Sequence, residues 1–486
     1  MHIPVLSFIG AAAKAVWNKL RGRPTIDAKA SAVVINGNRS VGAPIATSEG
    51  VVATAGGIVA SQGAIAMEAS AGGINIQVQA GATANFVVYV DGLPTASAPT
   101  RDHFLEGQRL QQADHHDQAL VEFEAGLADA DSDGQRAALH LLIGVSQIVL
   151  CRPTQADGSL QEAIRLFKSS GDSFGECSAL GNLGNVRIFR GQFLEAETLY
   201  QEALDIARAC ADRQTEAGLL RNLAVIDMVR GMSDQATERL TAVLAIHREL
   251  GDHLGEAGAL SVLALASQWR QDFLTAVERH EEALSIYRQA GSRREEAFTL
   301  TELGKIYVRR GEPVRATEPY ELALQICRET GDQRGEASVL RALGEQAIAS
   351  DMLDEAEAHY KNALAADEQI ENRIGQSSDL VGLGTVSRMR KDYRRQKEHY
   401  EETLKIARDM DYLSGEANAL VSLGIGEPTG RVTEEQERYL RKADAMYAQM
   451  GVHTDISSGV AELVRLLDEQ EGETAAQAEE EPQLER

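Results

Sequence analysis

The chain has 486 residues, a formal net charge of −25 and an aromatic content of only 5%. This length exceeds one compact domain and predicts either several domains or an array of repeats. The negative charge argues against a nucleic-acid backbone as the main partner, because like charges repel. The 4 cysteines form no CxxC pair. We therefore expect buried, reduced thiols and a cytoplasmic protein.

Residues 1–24 have the pattern of a basic amphipathic helix. Apolar residues fall on one stripe, and basic residues lie away from it: Leu6, Ile9, Ala13, Val16, Trp17 and Leu20 against Lys14, Lys19, Arg21 and Arg23. An apolar stripe alone does not show which surface the helix packs against. The alternatives are an anionic membrane surface, a partner protein and the repeat array of the same chain. The apolar stretch 3–13 lacks a preceding basic residue, which argues against a secretion signal.

Residues 25–99 are rich in Gly, Ala and Val, and part of this segment repeats in sevens. Glu49 and several glycines interrupt the apolar run, which argues against a membrane span. The density of Val and Ile is high for a linker and favours short β-strands divided by turn residues. "INIQVQ" predicts a strand at 74–79 that pairs with a returning strand at 86–90.

Low charge, high β-propensity and the absence of Pro between residues 45 and 92 favour stacking between copies of the chain. We therefore expect self-association through residues 25–99. The candidate assembly residues are the β-branched residues of the repeat: Ile45, Val52, Ile58, Val59 and Ile65.

A period of forty residues dominates the chain from residue 171 onwards. In seven successive blocks a Leu precedes a small residue: Leu183-Gly184, Leu223-Ala224, Leu263-Ala264, Leu303-Gly304, Leu343-Gly344, Leu383-Gly384 and Leu423-Gly424. An Ala or Gln and then a bulky residue follow at fixed spacing, as at Ala196 and Tyr200. Such spacing predicts two antiparallel helices that approach closely where both carry small side chains. "GD" at 171, 251 and 331 predicts a left-handed Gly that ends one helix and an Asp that caps the next.

These blocks resemble the tetratricopeptide repeat, in its forty-residue form found in Pins/LGN-type scaffolds and kinesin light chains. The resemblance implies a mainly α fold, a right-handed α-solenoid of about nine helix pairs over residues 100–450. Residues 104–127, with Gly107, Ala119 and Phe123, form a shorter first repeat. A capping helix is expected at 451–468 and an acidic disordered tail at 469–486. In the last repeat, Pro428 is expected to end the first helix early.

By resemblance, the first helices line a concave groove that binds a peptide of a partner protein. The family's groove positions give seven candidates here: Asn182, Asn185, Arg221, Asn222, Lys305, Arg341 and Glu345. Asn can pair with a peptide backbone, and Arg can bind a carboxylate through two parallel bonds. The alternative is that each Asn bonds locally.

One dense basic run interrupts the acidic chain: Arg388, Arg390, Lys391, Arg394 and Arg395. It is either a docking patch for an acidic partner or a solvated turn between helices. No pattern of an enzyme or cofactor site is present, and "DHHD" at 114–117 lacks a second cluster to complete a metal site.

Two functions follow from this layout. The first is a non-enzymatic scaffold or adaptor, similar in architecture to bacterial signalling adaptors, whose groove binds a protein. Residues 1–92 would then provide self-assembly, including filaments, or membrane attachment. The second is an effector whose N-terminal 92 residues perturb membranes while the array restrains them.

Overall fold

The computed structural model describes residues 51–54, 63–70, 73–80, 98–112, 115–425, 432–452, 457–465 and 467. They form a small antiparallel sheet and nine consecutive helix pairs. The amphipathic helix expected at 1–24 and the tail at 469–486 lie outside the described residues. The expected fold class, an α-solenoid of about nine helix pairs, is confirmed.

Each pair has a first and a second helix joined by a short turn. The first helices are α1 (Ala98–Gln112), α3 (Asp133–Val149), α5 (Ser173–Phe189), α7 (Arg213–Val229), α9 (His253–Trp269), α11 (Arg293–Arg309), α13 (Gln333–Ala349), α15 (Arg373–Met389) and α17 (Leu413–Gly424). The second helices are α2 (His116–Ala128), α4 (Pro153–Ser170), α6 (Phe193–Ala209), α8 (Ser233–Leu250), α10 (Phe273–Ala290), α12 (Pro313–Thr330), α14 (Leu353–Gln369), α16 (Tyr393–Asp409) and α18 (Glu434–Met450).

Helix caps fix the forty-residue phase. Gly171 ends α4 in the left-handed conformation with φ 72°, and the Asp172 side chain accepts a hydrogen bond from the Gly175 amide at the start of α5. The same arrangement recurs at Gly251 and Gly331, each followed by a capping Asp. The predicted "GD" caps are therefore confirmed at all three places.

Within a pair, the small residue of the first helix sets how closely the second helix approaches. A Cβ added to Gly304 would lie 2.3 Å from the ring of Tyr320, which is fully buried. In the fourth pair the same two positions are held by Ala224 and Leu240, both also buried. In these two pairs, Gly faces a Tyr ring and Ala faces the smaller Leu side chain.

We expect Gly304→Ala to destabilise the array by about 1–3 kcal/mol, because the new methyl group overlaps the Tyr320 ring. Adding Tyr320→Leu would recreate the combination found in the fourth pair and recover much of the loss. Thermal unfolding of the full chain followed by circular dichroism measures both effects. A double variant no more stable than the single one would contradict this account of the packing.

The last pair is shortened as predicted. Helix α17 has 12 residues and ends at Gly424, before Pro428, whereas the other first helices from α3 to α15 each have 17. Residues 457–465 then form a further helical segment within the expected capping region 451–468.

The array curves far enough for its late pairs to contact its early pairs, which the sequence analysis did not foresee. Phe189 of α5 packs on Tyr412 before α17, with ring centroids 5.4 Å apart. The Thr154 hydroxyl donates to the Asp411 carboxylate at 2.8 Å. The Gly191 backbone approaches Met450 so closely that an added Cβ would lie 2.6 Å from its Sδ atom. We call this contact between pairs 2–3 and pairs 8–9 the seam.

In the part of the chain that the structure describes, three strands precede the helices. Strand β1 (Val51–Thr54) pairs with β2 (Gly63–Ser70), and β2 pairs with β3 (Gly73–Ala80), both antiparallel. The register places Val51 opposite Met67 and Gly63 opposite Ala80. The strand predicted at 74–79 is thus paired with the segment before it, and its expected partner at 86–90 lies outside the described residues. Of the candidate assembly residues, Val52 lies in β1 and Ile65 in β2, whereas Ile45, Ile58 and Val59 also lie outside them.

Candidate functional site

The first helices form the inner layer of the curved array and the second helices form the outer layer. First helices of successive pairs contact one another, as α11 contacts α13 and α13 contacts α15. Every residue of α7 from Thr215 to Val229 is buried, whereas α8 buries only one stripe. We use "groove" for the inner surface lined by the first helices. Of the described helices, none is both long and apolar enough to cross a bilayer.

The three candidate asparagines are buried on the first helices α5 and α7. The Asn182 amide donates to the Ser178 carbonyl at 2.8 Å, one helical turn earlier. Asn185 accepts a hydrogen bond from the Tyr200 hydroxyl at 2.5 Å, and Asn222 lies beside the same hydroxyl. The Asn182 and Asn185 amides therefore already hydrogen-bond within the array, as the local alternative described, whereas neither polar atom of the buried Asn222 amide has a hydrogen-bond partner among the described residues.

Arg341 is bound by two carboxylates of its own chain. Its Nε donates to Asp379 and one terminal nitrogen donates to Asp367, both at 2.8 Å. All three side chains are almost completely buried. Burial raises the pKa of Asp367 and of Asp379, while the Arg341 charge opposes the rise. The guanidinium that the sequence analysis assigned to a ligand carboxylate thus has internal partners.

Arg221 is a buried arginine of the fourth pair, and its surroundings differ from those of Arg341. Only 8% of the residue is exposed, and no hydrogen-bond acceptor lies within reach of its Nε. Among the described residues, no carboxylate lies within ion-pair distance of its guanidinium. Burial lowers the pKa of Arg221 to about 10, opposed by the nearby Tyr287 and Asp252. A Cβ added to Gly258 would lie 3.8 Å from both the Tyr287 hydroxyl and a terminal nitrogen of Arg221, and the Ser261 hydroxyl donates to the Ala257 carbonyl at 3.0 Å.

Arg221 and Arg341 occupy the same position of the repeat, three repeats apart. The two carboxylates that bind Arg341 come from positions 367 and 379. The corresponding residues for Arg221 are His247 and Ala259, and neither is a carboxylate. The charge of Arg341 is thus balanced by two carboxylates of the same chain. Arg221 is a buried cation that has no acidic partner among the described residues.

The middle of the groove carries a mixed polar network. Lys305 and Glu302 pair at 3.1 Å, and both are almost fully buried. A terminal nitrogen of Arg309 donates to the Gln268 side chain at 2.9 Å. Burial lowers the pKa of Arg309 to about 10, against the opposing charges of Glu302 and Glu345. The candidates Lys305 and Glu345 therefore lie in a region where opposite charges are already close together.

The basic run lies at the turn between α15 and α16. Arg388 is buried, and Arg390 pairs with Asp354 and Glu357 of α14. Arg394 pairs with Glu398, Arg395 pairs with Asp392, and Lys391 is exposed. Acidic neighbours offset most of this charge, so the docking-patch interpretation gains no support and stays a prediction.

Sequence reasoning missed the acids around Arg341, although a signal was present. At the repeat position of Asp379, the other full repeats hold Ala179, Leu219, Ala259, Thr299, Val339 and Ala419. An Asp at a repeat position that is otherwise mostly apolar predicts a buried carboxylate, which needs a cation as its partner. In "DHHD", His116 is buried and His115 is exposed. No group of three potential metal ligands occurs in the described parts of the chain.

A comparison with protein families supports the repeat assignment. The tetratricopeptide repeat family model matches residues 135–209 and 256–329. No curated protein matches the chain by sequence. Similar solved structures include apo RapI, with 12% identity, a TM-score of 0.47 and coverage of 56% of this chain and 99% of that one. The apo quorum sensor NprR from B. thuringiensis has 15% identity, a TM-score of 0.45 and coverage of 73% and 99%. A STAND protein with a tetratricopeptide repeat sensor from Pyrococcus horikoshii has 16% identity, a TM-score of 0.45 and coverage of 74% and 53%.

Proposed function

We propose that this chain, whose helix pairs are tetratricopeptide repeats, is a non-enzymatic scaffold that binds an extended segment of a partner protein in its groove. The site centres on Arg221, which receives a carboxylate of the partner, either an acidic side chain or the C-terminus. The Tyr287 hydroxyl lies near enough to join the same site, since a Cβ added to Gly258 would lie 3.8 Å from both this hydroxyl and a terminal nitrogen of Arg221.

The observation that carries this proposal is the buried Arg221 guanidinium without a described acidic partner. A buried charge is costly unless it is paired, and the same position in pair seven is paired with two carboxylates. A partner carboxylate would supply the missing charge through the planar fork of the guanidinium. Binding a carboxylate at this point would therefore relieve an existing cost as well as form new bonds.

The test uses a peptide selected from a display library with free C-terminal carboxylates, and fluorescence anisotropy to measure its affinity for the full chain. We expect Arg221→Leu to weaken binding about tenfold to a hundredfold, since hydrogen bonds to charged groups contribute about 1.5–3 kcal/mol. Ala259→Asp is the sharper variant. It keeps Arg221 but introduces, on the next first helix, an acid at the repeat position that Asp379 holds beside Arg341, so it would weaken binding as well.

Arg394→Ala is the matched control, because its side chain is 89% exposed and pairs only with Glu398 among the described residues. It is expected to leave the affinity unchanged. Wild-type affinity in both Arg221→Leu and Ala259→Asp would refute carboxylate binding at this site. Circular dichroism of each variant establishes that the helices are intact.

The N-terminal part of the proposal rests on the sequence alone. Self-association through residues 25–99 draws on their β-propensity and low charge. Membrane attachment through residues 1–24 draws on their basic amphipathic pattern.

A further inference from the structure

The sheet lies against the inner layer of the array. Strand β1 contacts α7 and α9, and strand β3 contacts α3, α15 and α17. All five are first helices, and they belong to pairs 2, 4, 5, 8 and 9. Because the array curves until its late pairs meet its early pairs, a segment that touches first helices from both halves must lie inside the curve. The sheet therefore occupies the groove.

We propose that the three-stranded sheet, residues 51–54, 63–70 and 73–80, is an internal occupant of the groove, which must leave before a partner segment can bind. The inference rests on the proposed function in one respect, namely that the groove is the partner-binding surface. The position of the sheet can be tested without any partner.

The chemistry of the segment suits such a role. Residues 51–80 carry a single charge, Glu68, opposite in sign to Arg221 of the groove. Strand β1 lies against α7, the helix that carries Arg221. In the described sheet, β1 and β3 are edge strands, each with one long edge that no described strand pairs with. Exposed edges invite pairing between chains, and enclosure by helices protects them.

The connection to the array permits both entry and release. Seventeen residues separate Ala80 from Ala98, the start of α1. An extended chain of this length reaches about 60 Å, enough for the sheet to leave the groove while it stays tethered. A tethered segment competes at an effective concentration on the order of millimolar, so even weak contacts would hold it in place.

The decisive experiment places the photo-crosslinker benzoylphenylalanine at Val52 and, in a second variant, at Ala53 of the full chain. Adjacent strand residues point to opposite faces, so one of the two faces the helices whichever way the strand is turned. We expect crosslinks to residues 213–229 and 253–269, identified by mass spectrometry. The control places the same group at Val314, which is 85% exposed at the start of α12 and should give no crosslink to residues 51–80.

Mixing isotopically light and heavy chains separates an internal occupant from a segment of a second copy. Crosslinks confined to one isotope establish the internal arrangement. Mixed-isotope crosslinks would replace it with self-association in trans, and the absence of crosslinks to the first helices from both positions would overturn occupancy altogether. None of these outcomes depends on Arg221 or on a partner.

The competition itself is measured with the selected peptide. Replacing residues 51–80 by a Gly/Ser sequence of equal length should tighten peptide binding, by about tenfold if the sheet fills the groove nine-tenths of the time. Crosslinks without any gain in affinity would overturn the competition but leave the sheet in place. Failure of Arg221→Leu to change affinity would instead count against the proposed function.

Discussion

Arg341→Met is expected to lower the free energy of unfolding by about 3–5 kcal/mol, because it leaves two buried acids without their cation. Asp367 and Asp379 both contact Arg341 at 2.8 Å and are almost fully enclosed. Thermal and urea unfolding of the full chain would show the loss. The triple variant with Asp367→Asn and Asp379→Asn removes the orphaned charges and should recover most of it.

The loss should also depend on pH. Burial raises the pKa of both acids in the folded chain, and removing Arg341 raises it further. An acid whose folded pKa lies above its unfolded value gives stability that is complete below the unfolded pKa and declines as pH rises through the folded one. Arg341→Met should thus be closer to wild type at about pH 5 than at about pH 8. An equal loss at both would contradict a charged cluster.

Tyr412→Asp is expected to destabilise the chain by about 2–4 kcal/mol, although it introduces a better helix cap. At this helix-start position the other full repeats hold Asp172, Asp212, Asp252, Ser292, Asp332 and Asn372. Tyr412 instead lies buried at the seam on Phe189. Truncating a buried aromatic costs about 3–5 kcal/mol. The new N-cap of α17 would add back about 1 kcal/mol to the free energy of unfolding.

The measurement pairs unfolding with small-angle X-ray scattering, which should show an expanded particle when the seam opens. Ser292→Asp is the matched control, because Ser292 begins α11 away from the seam and its side chain makes no capping hydrogen bond. We expect a small gain in stability and no change in size. A stabilised, unexpanded Tyr412→Asp variant would show that the seam contributes little.

Local rules account for most of the fold. The Gly171–Asp172 cap, the shortened helix before Pro428 and the approach of Gly304 to Tyr320 each depend on residues within one or two repeats, and a single sequence displays them. The seam could not be predicted in the same way. The curvature that brings Phe189 to Tyr412 is the sum of small rotations at every interface, and no local pattern records that sum.

The candidate site was predictable only in part. Arg221 and Arg341 were both chosen as groove cations from the family pattern, which gives their position and not their surroundings. The distinction between them lies in residues 367 and 379, which come from other helices. The sequence does contain the distinguishing signal, because Asp379 is an acid at a repeat position that is mostly apolar in the other repeats.

The seam has a consequence for how the array unfolds. In an open array each repeat contacts only its neighbours, so the ends fray first and the loss spreads inwards repeat by repeat. Here the hydrogen bond between Thr154 and Asp411 joins residues 257 positions apart, so the last repeats are held by early ones. Closing so long a loop is entropically costly and slows folding, but once it is closed pairs 2 to 9 cannot unfold stepwise from either end. Pairs 2 to 9 should therefore melt as one cooperative unit, and truncation after residue 409 would restore stepwise fraying.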